Sequence, residues 1–330
     1  MNQRRLGASG PEVGAIGLGC MGMSWIYREA ERDDEASIAV IHEAIERGAT
    51  LLDTADIYGD GHNESLVGRA IADRREQAVV ATKLGLVVDD LAGRVLHRDA
   101  SPEHVHAAAH ASLRRLGTDT IDLLYLHRID PQVPLADTWG AMSELVEAGV
   151  VRQLGLSEVS IAEAEEAAAI HPVAAIQSEL SLWTRDPLGE IADSEQWVKG
   201  GDDIVTWCAE HDVAFVPFAP LGRGYLTGTI SRADFTTEDF RAHSPRFTPD
   251  NLTSNARIAD TVRKVAAEAG VTPAQLAIAW VLARGPHVIP IPGTKKQHYL
   301  EENIAACDVR LTEDHLRELN QLPAPAGTRY

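Results

Sequence analysis

Three cysteines in 330 residues, Cys20, Cys208 and Cys307, are too few and too scattered to frame a fold. They form no CxxC pair and show no zinc spacing, which excludes a disulfide scaffold and a structural metal site. An odd, sparse set points instead to reduced thiols and a cytoplasmic location. Positive charge is scarce as well: Lys and Arg number 30 against 49 Asp and Glu, for a formal net charge of -19. Such a surface excludes nonspecific nucleic-acid or anionic-membrane binding, both of which need cationic faces. No long apolar run follows the charges of the opening MNQRRLGASGPEVGAIGLGC, so neither a signal peptide nor a membrane span is expected. No low-complexity linker interrupts the chain, and a single domain over residues 1–330 is expected.

Hydrophobic residues make up 45% and charged residues 24%, an ordinary globular composition. The length suits one α/β barrel. Short apolar runs alternate with helical patterns. Strands are predicted at Ala15 to Gly19, Thr50 to Thr54, Ala78 to Lys83 and Ile121 to His127. Four more fall at Val151 to Leu156, Ala174 to Ser178, Val213 to Phe218 and Val288 to Ile291. Most are continuous apolar runs, as parallel strands buried on both faces require. Helices are predicted at Ser37 to Arg47, after the Ser101-Pro102-Glu103 start signal, and at Leu135 to Glu147 and Ile161 to Ala169. Further helices are Ile204 to Glu210, Ile258 to Ala269, Pro273 to Ala283 and one after Thr312. Eight β/α units suggest a closed barrel or an open doubly wound sheet. The barrel is the expected fold class: an α/β (β/α)8 TIM barrel with a short hairpin over Gln3 to Val13 at one end and a C-terminal helix. Three long loops, about 84–100, 185–202 and 221–256, would overhang one rim.

Gly17-Leu18-Gly19-Cys20-Met21-Gly22 fits GxGxxG. A Rossmann site needs a helix opening inside that run, with the pyrophosphate on its N-terminus. Here the helical pattern starts only near Asp33, so the context argues against that reading. Gly19, Cys20 and Met21 read better as a strand end where a ligand approaches the backbone closely.

Asp53 ends the second predicted strand, Lys83 the third and His127 the fourth, and Tyr58 follows Asp53 in the next loop. In a barrel these positions share one mouth, the C-terminal face where active sites of the fold lie. A phenol is a poor acid at neutral pH, and a Lys cation beside it is expected to pull its pKa down. A carboxylate would keep that Lys charged, and a His in reach of the phenol oxygen would polarise a carbonyl. Such a set donates a proton to a developing alkoxide and needs a hydride from a cofactor. Each residue alone has a duller reading: a turn Asp, a core Tyr or His, a surface or Schiff-base Lys. Four in register favour the site.

The segments GLGCMGMS, LDTADIYGDGHNESLVGRAI, VVATKLG and IDLLYLHRID resemble the aldo-keto reductase family. So do GLSEVS, IQSELSLWTRD, VPFAPLGRGYLTG and IPIPGTKKQHYLEENI, and the likeness runs from about residue 4 to the C-terminus, nearest the bacterial and plant branch with a GRG loop. The resemblance implies a catalytic tetrad of Asp53, Tyr58, Lys83 and His127, with Tyr58 as the acid, and NADPH bound across the barrel mouth. Ser157 and Gln177 would then hold the nicotinamide carboxamide and Phe218 would stack on its ring. Ala219, Pro220, Leu221, Gly222, Arg223 and Gly224 would wrap the pyrophosphate, beside Gly19, Cys20 and Met21. Gly293, Thr294 and Lys296 would meet the 2′-phosphate, with Glu302 and Asn303 on the adenine. Where many relatives place an Arg six residues after Gly293, this chain has Tyr299, which leaves the phosphate to Lys296 and Lys295. Residues 188–201 look longer than the equivalent loop in relatives.

The expected function is NADPH-dependent reduction of a small-molecule aldehyde or ketone, in a pocket lined by Trp25, Tyr58, His127 and residues of the long loops, with Trp183 a candidate among them. No metal, nucleic acid or membrane enters the reading, and a homo-oligomer is left open. Two alternatives are an NADPH-binding regulatory subunit with little turnover and a lysine-dependent aldolase using Lys83.

Overall fold

Gln3–Arg5 (β1) and Glu12–Gly14 (β2) pair antiparallel and form the predicted hairpin. The computed structural model that places it describes residues 1–27, 29–91, 95–190, 202–230, 235 and 239–329. Further strands are β3 (Leu18–Gly19), β4 (Leu51–Asp53), β5 (Val79–Leu84), β6 (Leu86–Asp90) and β7 (Val95–Arg98). They continue with β8 (Ile121–Leu126), β9 (Val151–Ser157), β10 (Ala175–Gln177) and β11 (Ala214–Phe215). Seven of them, β3, β4, β5, β8, β9, β10 and β11, make one parallel sheet with neighbours in that order. Chain order and spatial order therefore agree around the sheet, as helix crossovers on one side dictate.

Val288–Ile291, predicted as an eighth strand, forms no ladder of its own, because Pro290 and Pro292 have no N–H to give. It closes the ring nonetheless. On one side Ile289 N–H donates to Phe215 O at 2.8 Å and Ile291 N–H to Pro217 O at 3.0 Å. On the other, Gly17 N–H donates to Pro290 O at 3.0 Å and Gly19 N–H to Pro292 O at 3.4 Å. A Cβ on Gly19 would sit 2.8 Å from Ile291 O, so this glycine is needed for the joint itself.

The helices are α1 (Asp34–Glu46), α2 (His62–Ile71), α3 (Pro102–Leu116), α4 (Leu135–Glu147) and α5 (Ile161–Ala168). They continue with α6 (Ile204–Glu210), α7 (Pro249–Ala269), α8 (Pro273–Leu282), α9 (Gln297–Ala305) and α10 (Glu313–Asn320). Caps fix their starts: Asp33 accepts from Ala36 N–H, Ser101 from His104 N–H, and Ser160 with Glu163 forms a capping box. α7 begins well before the predicted Ile258 because Thr248 caps it and Pro249 occupies its first turn. α2 and α9 were not predicted, since neither has a side-chain cap hydrogen bond at its start. Among the described residues no single helix is long and apolar enough to cross a membrane.

One apolar cluster lies between the sheet and its helices. A second fills the barrel interior with Leu51, Ala81, Leu123, Tyr125, Ala175, Val216, Ile289 and Ile291, and Leu6 and Val13 of the hairpin region join it from below. Burial of this kind supplies the main favourable free energy of folding. Tyr125 is wholly buried, and a Cβ on Gly155 would meet its ring at 2.5 Å. Within the segment 84–100, predicted as an open loop, Leu86–Asp90 and Val95–Arg98 pair antiparallel as β6 and β7. This hairpin hangs over the rim as expected, but its backbone pairs with itself. Residues 191–201 of the supposed insertion lie outside the described residues.

Candidate active site

The strand ends of β4, β5 and β8 are adjacent in the sheet, and the register sets Asp53 beside Ala81 and Lys83 beside Tyr125. All four predicted side chains are buried: Asp53 3%, Tyr58 8%, Lys83 1% and His127 7% exposed. Lys83 Nζ donates to Asp53 Oδ1 at 2.5 Å and to Thr54 O at 2.7 Å. The ammonium stands 5.0 Å from the centre of the Tyr58 ring. The Tyr58 and His127 rings meet edge to face, 6.0 Å between centres. The sequence-predicted tetrad thus converges in one place.

Burial works against the charge on Lys83, but Asp53 and Tyr58 more than offset it, and its pKa lies above the ordinary value. Tyr58 departs from expectation. Burial pushes the phenol up, and Lys83, which pulls it down, does not cancel that effect. The ammonium is already engaged by Asp53, so the phenol keeps its proton. His127 is pushed well below its usual value, first by burial and then by Arg128 and Lys83. Its imidazole is therefore neutral at physiological pH, and its Nδ1 has no hydrogen-bond partner among the described residues.

A polar shell holds the wall of the site. Thr54 Oγ1 donates to Asn63 Oδ1 at 2.7 Å, and Asn63 Nδ2 donates to Cys20 O at 2.9 Å and Ser24 Oγ at 2.7 Å. These bonds tie the loop after β3, which carries Trp25, to the end of β4. Trp25 lies 6.3 Å from the Tyr58 ring in a cluster with Ala55, Ile57 and Leu86, and Val88 and Leu96 of the β6–β7 hairpin pack against it. Trp183 belongs elsewhere. It is 1% exposed, stacked on Tyr225 at 4.3 Å and edge-on to Phe247 at 5.1 Å. It is the core of its loop and not a pocket wall.

The residues expected to hold a cofactor divide into two sets. Gln177 Nε2 donates to Asp53 Oδ2 at 2.7 Å, and Ser157 Oγ accepts from Arg128 Nη1 at 3.1 Å, so both stand at the tetrad. Phe218 is half-buried at the end of the next strand, its N–H on Ser178 O at 3.1 Å. Ala219, Gly222, Arg223 and Gly224 all take positive φ, which coils the segment from Ala219 to Gly224, through Pro220 and Leu221, into tight turns. Arg223 is engaged within the protein: it donates to Glu179 Oε2 at 3.0 Å and to Arg329 O at 2.8 Å. Pyrophosphate recognition by this loop would then fall to its backbone. Glu179 is 1% exposed, and its carboxyl, despite burial, is held at about 2 by Arg223, Arg329 and Arg246. Arg329 also donates to Glu158 Oε2 at 2.8 Å.

At the other end of the mouth, Gly293 bridges Gly19, and Thr294 Oγ1 accepts from Lys296 N–H at 3.1 Å. Lys296 is exposed, precedes the first turn of α9 and is ion-paired to no described carboxylate. Its Nζ lies 5.9 Å from the exposed Tyr299 ring. Glu302 and Asn303 follow on α9, Asn303 buried. A cation beside a helix N-terminus suits a phosphate monoester, so this end fits the expected group. A cavity of about 900 Å³ also opens in the barrel, but at the opposite end, near Arg4, Ala15 and Ala214. It plays no part in the chemistry of Tyr58. Among the described residues no His, Cys, Asp and Glu cluster could hold a metal ion.

The residue that sequence reading passed over is Arg128, which follows His127 directly. Its signal was a cation at a strand end in a strongly acidic chain.

Comparison with known proteins agrees with this geometry. The profile of the aldo/keto reductase family matches residues 15–324. The chain is 40% identical over 331 aligned positions to probable aldo-keto reductase 1 of Glycine max, covering 99% of this chain and 91% of that protein. It resembles the glycerol dehydrogenase of Gluconobacter oxydans, with a TM-score of 0.83 and 29% identity, covering 96% of this chain and 94% of that one. It also resembles an aldo-keto reductase of Klebsiella pneumoniae in complex with NADPH, with a TM-score of 0.70 and 28% identity, covering 100% and 98%.

Proposed function

The chain belongs to the aldo-keto reductase family, and from that premise we propose that it reduces an aldehyde or ketone to the alcohol with NADPH, Tyr58 supplying the proton. Bound across the mouth, NADPH would supply hydride to the carbonyl carbon. As the C=O electron pair moves to oxygen, the Tyr58 hydroxyl gives that oxygen its proton. The phenolate left behind is stabilised by the Lys83 ammonium, which Asp53 keeps charged and in place. Neutral His127 offers an N–H to the same oxygen without competing as an acid. Trp25 and the β6–β7 hairpin limit water at the reacting atoms.

NADP(H) as the cofactor is supported by the neighbour crystallised with it and by the fit of Lys296 and the start of α9 to a 2′-phosphate. The observation that carries the reading is the buried Asp53–Lys83 pair standing 5.0 Å from the Tyr58 ring. The test is loss of NADPH absorbance with para-nitrobenzaldehyde, using wild type and Tyr58→Phe. Removal of the proton donor should lower kcat by about 10²–10⁴-fold while NADPH binding, read by fluorescence quenching, stays within a few-fold. Wild-type turnover by Tyr58→Phe would refute the tetrad assignment. Tight NADPH binding by wild type with no turnover would support a regulatory cofactor-binding subunit instead.

A further inference from the structure

We infer that the site is built for a carbonyl compound that also carries an oxyanion, a carboxylate or a phosphate, and that Arg128 selects it. The inference rests on the reductase reading above. Arg128 is half-buried at the end of β8. Its Nη1 donates to His127 O at 2.6 Å and to Ser157 Oγ at 3.1 Å, which fixes the guanidinium between the ends of β8 and β9. The opposite edge, Nε and Nη2, has no acceptor among the described residues. That edge is the fork that binds a carboxylate or phosphate through two parallel hydrogen bonds.

The surrounding charges make this edge unusual. Other buried guanidiniums of the rim hold carboxylates, Arg223 with Glu179, Arg241 with Asp239 and Arg329 with Glu158, while Arg246 spends its N–H groups on Trp183 O, Thr184 Oγ1 and Gly327 O. Arg128 forms no ion pair with a described carboxylate. The nearby Asp130 instead accepts from Gln132 N–H at 2.9 Å and Ala100 N–H at 3.4 Å. A second cation, Arg98 on β7, donates to Ile129 O at 2.8 Å, and its charge is disfavoured first by burial and then by Arg128. Holding a partly desolvated cation without a counter-charge is unfavourable, and an anionic ligand would relieve it. The chain as a whole, at -19, repels anions, so an anionic substrate needs a local cation. The charge of Arg128 also reaches both reacting groups, opposing protonation of His127 and drawing down Tyr58. An oxyanion on its free edge would therefore sit within a small molecule's length of the carbonyl.

The test compares kcat/KM, with saturating NADPH, for para-carboxybenzaldehyde against its methyl ester and for glyceraldehyde 3-phosphate against glyceraldehyde. Wild type should favour the charged member of at least one pair by about tenfold or more, and the pair that responds distinguishes carboxylate from phosphate. Arg128→Met should abolish that ratio, and Arg128→Lys should restore part of it. Equal rates within both pairs for wild type would overturn the proposal. So would a ratio unchanged in Arg128→Met, or a rise in the KM for NADPH alone, which would assign Arg128 to the nicotinamide. If wild type consumes no NADPH with any of these aldehydes, the reductase reading itself falls, and this one with it.

Discussion

Gln177 and Asp53, 124 residues apart, share a hydrogen bond of 2.7 Å at the heart of the barrel mouth. One carboxylate oxygen of Asp53 thus serves Lys83 and the other serves Gln177. The residue expected to read the nicotinamide also holds the carboxylate that engages Lys83. Gln177→Met keeps the volume and removes the donor. A hydrogen bond to a charged group contributes about 1.5–3 kcal/mol, so kcat should fall roughly 10- to 100-fold, with a rise in KM for NADPH. Steady-state kinetics in both substrates check this, and an unchanged kcat would mean that Lys83 alone positions Asp53.

Lys296 stands exposed before α9 without a described carboxylate partner, and Tyr299 occupies the place where the family resemblance implies an arginine. Lys295, the other candidate, donates to Tyr27 O at 3.0 Å, so the 2′-phosphate should depend chiefly on Lys296. Lys296→Ala should weaken NADPH binding about tenfold, the equivalent of ~1.4 kcal/mol, and leave NADH binding as it was. Paired titrations with the two cofactors decide it: equal losses would place the lysine away from the phosphate.

The Glu179 carboxyl is held at about 2 against an ordinary 4.5, despite burial, by Arg223, Arg329 and Arg246. A depressed folded-state pKa stabilises the protein above the unfolded value, and that stability is lost as pH falls through the folded value. Denaturant unfolding should therefore show stability declining between about pH 4.5 and pH 2, by on the order of 3 kcal/mol from this group. Glu179→Gln should flatten that part of the curve, and a slope identical to wild type would show that other carboxylates account for it.

Asp53, Lys83 and His127 were legible because each ends a short apolar run, and parallel strands in sequence order put such ends on one rim. Tyr58 was legible by its closeness to Asp53. Its proton affinity was not, because pair chemistry suggests a lowered value and only the depth of burial reverses the sign. The segment Val288–Ile291 looked like a strand by composition, but its prolines leave it bonded through alternate carbonyls and amides. The hairpin β6–β7 was hidden because its residues alternate weakly between buried and exposed. The burial of Arg329 was not legible: its partner Glu158 lies 171 residues away, and nothing local marks an arginine destined for the interior. Arg223 looked like a phosphate ligand for the same reason, since the carboxylate that engages it is distant in sequence.

The barrel interior beneath Lys83 is filled by Tyr125, whose ring centre is 6.0 Å from the ammonium, and by the aliphatic layer around it. The mouth that holds Tyr58 is therefore a cup, closed beneath Lys83, and not one end of an open tube. A proton given up by Tyr58, as proposed, would have to be replaced through that mouth, which the larger of two bound molecules would cover. On the reductase reading, a nucleotide lying across the mouth would hold that exchange back, and the phenol would regain its proton once the nucleotide had left.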